Sequence, residues 1–517
     1  VWQVNNLTAK QKVGQRLIAG FDGTQLSDEI IALVREYKVG NIILFRHNIE
    51  SAQQLKTLCD EIQKLVQAET SIPAFITIDQ EGGMVTRLSQ DASNIPGAMA
   101  IASTGNPENA YRAGYITGQE LRAMGVNFNL APNMDINSHA DNPVIGVRSY
   151  GDTPETVCRY GLEMIRGLAD AGVASSAKHF PGHGDTNVDS HLSLPKVDKP
   201  LEVLEQNELR PFAEAIKAGI PSIMTTHILF PQLEPKEIPA TMSHKIVTEL
   251  LRQRMGFQGL VISDCMEMSA IKQYYGTVNG IVSAMKAGVD MVFVSHTPSV
   301  AVEAVKAVLQ ELENGSMDSA EMDSSVQRIL ACKEKYIHTE LLPLEIVGCA
   351  EHKHAVQEMM DKTLTLVGGE RVPLGNKPWF LAPYAFRVTL ASNVEDKSLS
   401  FAEYMVQRLG GDGTNLSPNP TNEEIAQLVQ QAGKYSSAVV GTYNGHLHRG
   451  QLQLVKALAE SGIPVTAVAL RNPYDLAGMP QSVCRLAAFE YTPLGLDAVV
   501  RFLRGELTPT GKLSISL

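Results

Sequence analysis

Fourteen residues, KHFPGHGDTNVDSH from Lys178 to His191, hold three histidines, two aspartates and a lysine. So dense a set of titratable groups can serve as a metal nest, as a proton-transfer device, or as a polar loop without chemistry. The Pro-Gly and Gly-Asp-Thr-Asn elements put the segment in a loop directly after an apolar run. Asp189 stands two positions before His191, so a turn can bring its carboxylate onto an imidazole nitrogen. That contact fixes the tautomer and raises the proton affinity of the ring, readying it to give and retrieve a proton. The same pair can also do no more than order a loop. His179, His183, Asp185, Asp189 and His191 offer N and O ligands for a divalent ion. The adjoining Lys178 ammonium would repel such an ion, and the spacing is not that of HExxH or a related motif. The segment is therefore read as a proton-transfer site with no metal and no cofactor.

Three further stretches carry residues of the right kind. GLVISDCMEM puts Asp264 at the tip of an apolar strand, where a carboxylate can attack an electrophilic carbon or merely cap the next helix. Glu267 is the competing carboxylate, expected along that helix. FITIDQEGGMVTRL puts Asp79 at another strand end with Arg87 beyond it, a pair suited to gripping vicinal hydroxyls or to holding the loop as a buried ion pair. NPVIGVRSYG carries Arg148 on the loop after NFNLAP, where Asp135 also lies. A carboxylate nucleophile, an Asp-supported histidine and several hydroxyl-grasping charges (Asp79, Arg148, Lys178, His179) point to cleavage of a glycoside with retention. The chain has no GxSxG and no phosphate-cradling glycine loop.

These residues need a frame. LIAGF, NIILF, AFITID, NFNLAP, SSAKHF, SIMTTH, LVISD and MVFVS read as strands, most of them separated by helix-like segments such as PETVCRYGLEMIRGLADAG. Near-continuous β-branched runs suit strands buried on both faces of a parallel sheet. Eight such units predict a (β/α)8 barrel over residues 1–335, with a doubly wound open sheet as the rival. Asp79, Lys178–His179, His227 and Asp264 all end strands, and in a barrel those ends share one rim, which favours the closed form. A helical connection is expected over 336–361 and a smaller α/β layered domain over 362–517.

Composition bounds the rest. The 517 residues are 44% hydrophobic and 19% charged, as in a globular protein of two or three domains. A net charge of −12 without long charged runs argues against a nucleic-acid surface, and no apolar run approaches the roughly 18 residues of a membrane span. Six scattered cysteines without a CxxC read as free thiols. With no signal-peptide pattern in the opening VWQVNNLTAKQKVG, the expected location is cytoplasmic; a chain that had lost a leader would instead be secreted or lipid-anchored.

DQEGG, NPVIGVRSYG, KHFPGHGDTNVDSH and SDCMEM resemble, in order and spacing, the family 3 glycoside hydrolases, in particular their bacterial β-N-acetylglucosaminidase (NagZ-type) branch. The likeness spans about residues 7–335, and the tail resembles the family's C-terminal α/β sandwich. It implies a retaining exo-β-N-acetylglucosaminidase acting on muropeptide or chitin fragments. Asp264 would be the nucleophile, His191 the general acid/base and Asp189 its orienting partner. Asp79, Arg148, Lys178 and His179 would hold the sugar with support from Arg87. A neutral imidazole base also avoids the repulsion a carboxylate would meet beside the lactyl group of N-acetylmuramic acid. A broad β-glucosidase or β-xylosidase and a phosphorolytic enzyme are the alternatives within the family. A metal-dependent hydrolase and a sugar-binding protein without turnover are the remote ones. Glu490, in AAFEYTP, is the fallback acid.

Overall fold

The computed structural model describes residues 1–186, 194–388 and 397–517. Among these, eight parallel strands pair in chain order, and the first closes on the last. They are β1 (Leu17–Ala19), β2 (Asn41–Leu44), β3 (Phe75–Ile78), β4 (Phe128–Asn129), β5 (Ala174–Phe180), β6 (Ser222–Thr225), β7 (Leu260–Cys265) and β8 (Met291–Val294). Closure rules out the open doubly wound sheet. Period-two alternation explains why the strands read as unbroken apolar runs. Ile18, Ile43, Phe75, Phe128, Met224, Ile262 and Phe293 pack together inside the barrel. Their neighbours Leu17, Ala19, Ile42, Leu44, Ile76 and Ile78 join the larger cluster formed with the surrounding helices. Neither face meets water, so the polar side chains there, among them Asn41, Thr77 and Asn129, are hydrogen-bonded within the protein.

The helices of the outer layer follow from caps and stripes. Thr153 accepts the Thr156 N–H, and Pro154 occupies the first turn of the helix Pro154–Asp170, where a missing N–H costs nothing. Val157, Tyr160, Gly161, Met164, Ile165 and Leu168 then recur at helical spacing as its buried side. The pairing register shifts in two strands, between Ala177 and Phe180 of β5 and between Ile262 and Cys265 of β7. Such irregularities re-aim side chains, and here they coincide with Lys178, His179 and Asp264.

The second sheet runs β11-β10-β12-β13-β14-β9, with β9 (Thr365–Gly368), β10 (Pro378–Pro383), β11 (Asp412–Leu416), β12 (Ser437–Thr442), β13 (Val465–Ala469) and β14 (Cys484–Ala487). Only the β14–β9 pairing is antiparallel. The edge strand β11, DGTNL, has no apolar alternation and is largely exposed, so the sequence pattern is silent there. Met99, Ala100 and Val147 of the barrel belong to the apolar cluster on one side of this sheet, and Met84 to the cluster on the other. The loops after β3 and β4 are thus built into the core of the second domain. The chain's end returns to the barrel, where Lys512 N–H donates to the Ser103 carbonyl and Ser514 Oγ to that of Tyr150.

Candidate active site

Three buried cations and two carboxylates meet where β3, β4 and β5 end. Lys178 Nζ lies 3.0 Å from Asp79 Oδ1 and 2.7 Å from Glu81 Oε1. Arg148 grips Glu81 through two hydrogen bonds, Nε to Oε2 at 3.0 Å and Nη2 to Oε1 at 2.7 Å. Arg87 Nη2 approaches Asp79 Oδ2 at 3.7 Å. Lys178, Arg87 and Arg148 are only 1%, 4% and 6% exposed, so the network is shielded from water and its partners are held strongly. Burial alone would raise the Glu81 carboxyl. The charges and hydrogen bonds of Arg148 and Lys178 outweigh it and hold the group well below the ordinary carboxylate range. Lys178, despite its own burial, is held above its usual value by Glu81 and Asp79. The arrangement leaves Asp79 as the partly open carboxylate of the set, its side chain 19% exposed against 7% for Glu81. Arg148 and Arg87 act from behind it.

A second assembly orders His179. Asp135 Oδ2 lies 2.7 Å from His179 Nδ1, while Asp135 Oδ1 accepts the backbone N–H groups of His179 and His183 at 3.1 and 2.8 Å. One carboxylate therefore fixes both the ring and the backbone that carries it. His183 turns its Nδ1 to Thr186 Oγ1 at 3.0 Å, and burial lowers its pKa to about 4, so it stays neutral. The glycine following it is required by a close approach, since a Cβ on Gly184 would fall 1.5 Å from the Ile136 carbonyl oxygen. Asp185, a ligand in the metal reading, is instead paired with Lys199 at 2.7 Å.

Asp264 stands at the tip of β7, partly exposed. Burial pushes its carboxyl up, but His179, His227, the Cys265 N–H (2.7 Å to Oδ1) and Lys178 together hold it below its ordinary value. It is the ionised carboxylate that a nucleophile must be. His227 braces the same tip, its ring spanning Thr241 Oγ1 and the Cys265 carbonyl at 3.0 and 2.9 Å. Glu267, the rival, spends its carboxylate on the N–H groups of His296 and Thr297 and on Thr297 Oγ1, and it precedes the helix Ser269–Lys272 rather than lying along it.

The structure thus gathers Asp79, Arg87, Arg148, Lys178 and His179 on one rim with Asp264. Asp189 and His191 lie outside the described residues. Sequence reasoning passed over two groups: Glu81 and Asp135. For Glu81 the signal was arithmetic, because three arginine and lysine side chains that become buried need more counter-charge than Asp79 can give.

The sequence profile of the glycosyl hydrolase family 3 N terminal domain matches residues 8–332. Beta-hexosaminidase A of Pseudoalteromonas piscicida is 36% identical over 554 aligned positions, covering 94% of this chain and 91% of that protein. The beta-hexosaminidase of Alkalilimnicola ehrlichii is also 36% identical, over 302 positions that span 57% of this chain and 84% of its own length. Among solved structures, a glycoside hydrolase family 3 β-N-acetylglucosaminidase from Paenibacillus sp. str. FPU-7 superposes with a TM-score of 0.91 at 39% identity, covering 99% of both chains. A β-glucoside phosphorylase, at 21% identity and a TM-score of 0.82, shares the fold alone.

Proposed function

The chain belongs to glycosyl hydrolase family 3, and from that premise we propose that it is a retaining, exo-acting β-N-acetylglucosaminidase that removes terminal N-acetylglucosamine from muropeptide or chitin fragments. The reading is supported chiefly by one observation: a likeness to a β-N-acetylglucosaminidase over 99% of both chains, within which Asp264 is held as an anion at the barrel mouth.

In this reading Asp79, Lys178 and His179 hold the sugar hydroxyls, with Arg87 and Arg148 keeping Asp79 and Glu81 in place. Asp264 attacks the anomeric carbon, and the bond to the leaving oxygen breaks as His191, oriented by Asp189, gives that oxygen a proton. A glycosyl ester on Asp264 results. His191 then takes a proton from water as the water oxygen displaces Asp264 from the same carbon, returning both groups to their starting states. The retained configuration follows from two inversions.

The test is to incubate the enzyme with a 5-fluoro N-acetylglucosaminyl fluoride and map the labelled peptide. A stable ester on Asp264 is the expected result; a label on Glu267, or none on a turning-over enzyme, overturns the assignment. Aryl β-glycosides of N-acetylglucosamine and glucose, compared side by side with and without chelator, separate the acetamido specificity from the β-glucosidase and metal-dependent alternatives. Product analysis in phosphate buffer separates free sugar from a sugar phosphate.

A further inference from the structure

The end of the barrel away from Asp264 holds a second concavity, with a volume of about 560 Å3. Pro73, Asn127 and Val173 line it at the amino ends of β3, β4 and β5. Two of these strands, β3 and β5, deliver Asp79 and Lys178 at their other ends. The cleavage steps use nothing in this cavity. Its volume falls within the roughly 300–1,000 Å3 of small-molecule sites.

Most of the polar groups that line it are already satisfied. Gln63 brackets Ala74, its Oε1 accepting the N–H and its Nε2 donating to the carbonyl, both at 2.8 Å. Asn127 accepts the Ile76 N–H at 2.9 Å and donates to the Ala74 carbonyl at 3.0 Å. Asp60 faces Lys56 at 2.5 Å with its side chain 56% exposed, so its charge is both matched and screened.

Arg122 differs. It stands in the last turn of the helix Glu108–Met124. Its Nη2 reaches only the Glu340 carbonyl, at 3.5 Å, and its Nε is buried without a partner. Among the described residues no carboxylate pairs with it. A Cβ on Gly172 would meet His338 Nε2 at 2.8 Å and Arg122 Nη1 at 3.3 Å, so the two side chains converge over that glycine. His338 Nε2 donates to the Gly172 carbonyl at 2.8 Å, which leaves the guanidinium as the cation an occupant meets.

The wall beside this cation is apolar, formed by Trp2, Tyr336, Ile337 and Leu341. Trp2 is tied down where its backbone N–H donates to Glu334 Oε1 at 3.0 Å. Rings and a branched alkyl group next to an unmatched guanidinium suit an occupant with a ring at one end and a carboxylate at the other. A planar carboxylate can take two N–H groups of a guanidinium at once. An ammonium would be repelled, and a neutral molecule would leave the charge unanswered.

We propose that this cavity at the barrel floor binds a small amphipathic carboxylate, its ring against Trp2 and Leu341 and its carboxylate on Arg122. The site is separate from the sugar-holding rim and does not depend on the glycosidase reading.

Two probes of equal shape decide it, 4-phenylbutyrate and 4-phenylbutyramide, titrated into the full chain by calorimetry. Wild type is expected to bind the acid about tenfold more tightly than the amide, the size of a charge-assisted hydrogen-bonded pair. Arg122→Gln is expected to bring the two affinities together, and Leu341→Trp, which narrows the cavity, to weaken both. Tryptophan emission locates the binding: Trp379, the other of the two tryptophans, is 1% exposed within the second domain, so a saturable change on adding the acid reports on Trp2. Equal affinity of wild type for acid and amide overturns the proposal, as does the absence of saturable binding. A preference for the acid that survives Arg122→Gln places the carboxylate elsewhere and overturns it too.

Discussion

Glu490, carried by the segment after β14, accepts the backbone N–H of Gly97, on the barrel loop after β3, at 3.0 Å. Its other oxygen accepts the Thr492 hydroxyl at 2.7 Å. Gly83, with φ +57, completes the contact: a Cβ there would press to 3.3 Å from the Glu490 carboxylate and to 2.9 Å from the Gly97 backbone. Met84 Sδ meanwhile accepts the Tyr491 N–H. The loop bearing Asp79 and Glu81 is therefore clasped from the second domain. A cavity of about 20 Å3, room for one water, lies between Glu81, Arg148 and Glu490.

Burial raises the Glu490 carboxyl to about 6 against the opposing pull of Gly97 and Thr492. A carboxyl whose folded pKa is raised binds more protons when folded, so the stability it contributes is full below its unfolded pKa and lost as pH rises through about 6. Glu490→Gln keeps the shape and removes the titration. Wild type is expected to lose about 2 kcal/mol relative to this variant between pH 4.5 and 7, measured by urea unfolding at several pH values. Parallel pH profiles would refute it. Turnover of the variant on a substrate with a poor leaving group is expected to fall by less than about tenfold, whereas loss of a true general acid costs about 100-fold or more.

Glu81 serves two buried cations at once, and its removal should be felt in both stability and binding. Glu81→Gln leaves Lys178 and Arg148 short of one negative charge, a change that typically costs about 3–5 kcal/mol when the group is buried. The variant is expected to melt lower and to lose about 100-fold in kcat/KM, because Lys178 and Asp79 no longer share a fixed geometry. Since the folded pKa of Glu81 is depressed, its contribution is present above the unfolded value and is lost as pH falls. The stability gap between wild type and variant must therefore narrow in acid. A gap that widens there would mean that Glu81 is not the anion of the network.

How much of this was legible beforehand depended on whether a residue's role is local. The barrel strands are legible because burial on both faces keeps them mostly apolar, and Asp79, Lys178, His179 and Asp264 stand out as charged or titratable stops to those runs. Glu81 and Asp135 were in view, within DQEGG and beside Arg148, but their value comes from partners 97 and 44 residues away (Lys178 and His179), which no spacing rule connects. The edge strand β11 is silent because most of its side chains are exposed and only Leu416 is buried. Glu490 was noticed as a carboxylate, yet only the fold shows that it faces a backbone N–H of the other domain.

At the opposite end of the barrel from Asp264, Lys333 makes a claim of its own. It rises from the helix Ser319–Tyr336 into the barrel floor with none of its surface exposed. Nζ donates to Gln15 Oε1 at 2.7 Å and to the carbonyls of Pro73 and Gly40 at 2.8 and 3.3 Å, and it lies 5.5 Å over the Phe75 ring. These partners are neutral, so burial pushes the ammonium well below its ordinary pKa. An unfolded chain would then hold a proton on Lys333 that the folded chain releases, and stability from this residue must increase as pH rises toward the unfolded value of about 10.4. Lys333→Met abolishes the proton exchange while keeping an unbranched side chain. The stability of wild type relative to Lys333→Met is expected to increase from pH 7 to pH 9 by at most about 1.4 kcal/mol per pH unit, the limit for one proton, as measured by guanidinium unfolding at each pH. A difference that is flat across that range would mean the amine keeps its proton inside the barrel floor, held there by the three oxygens alone.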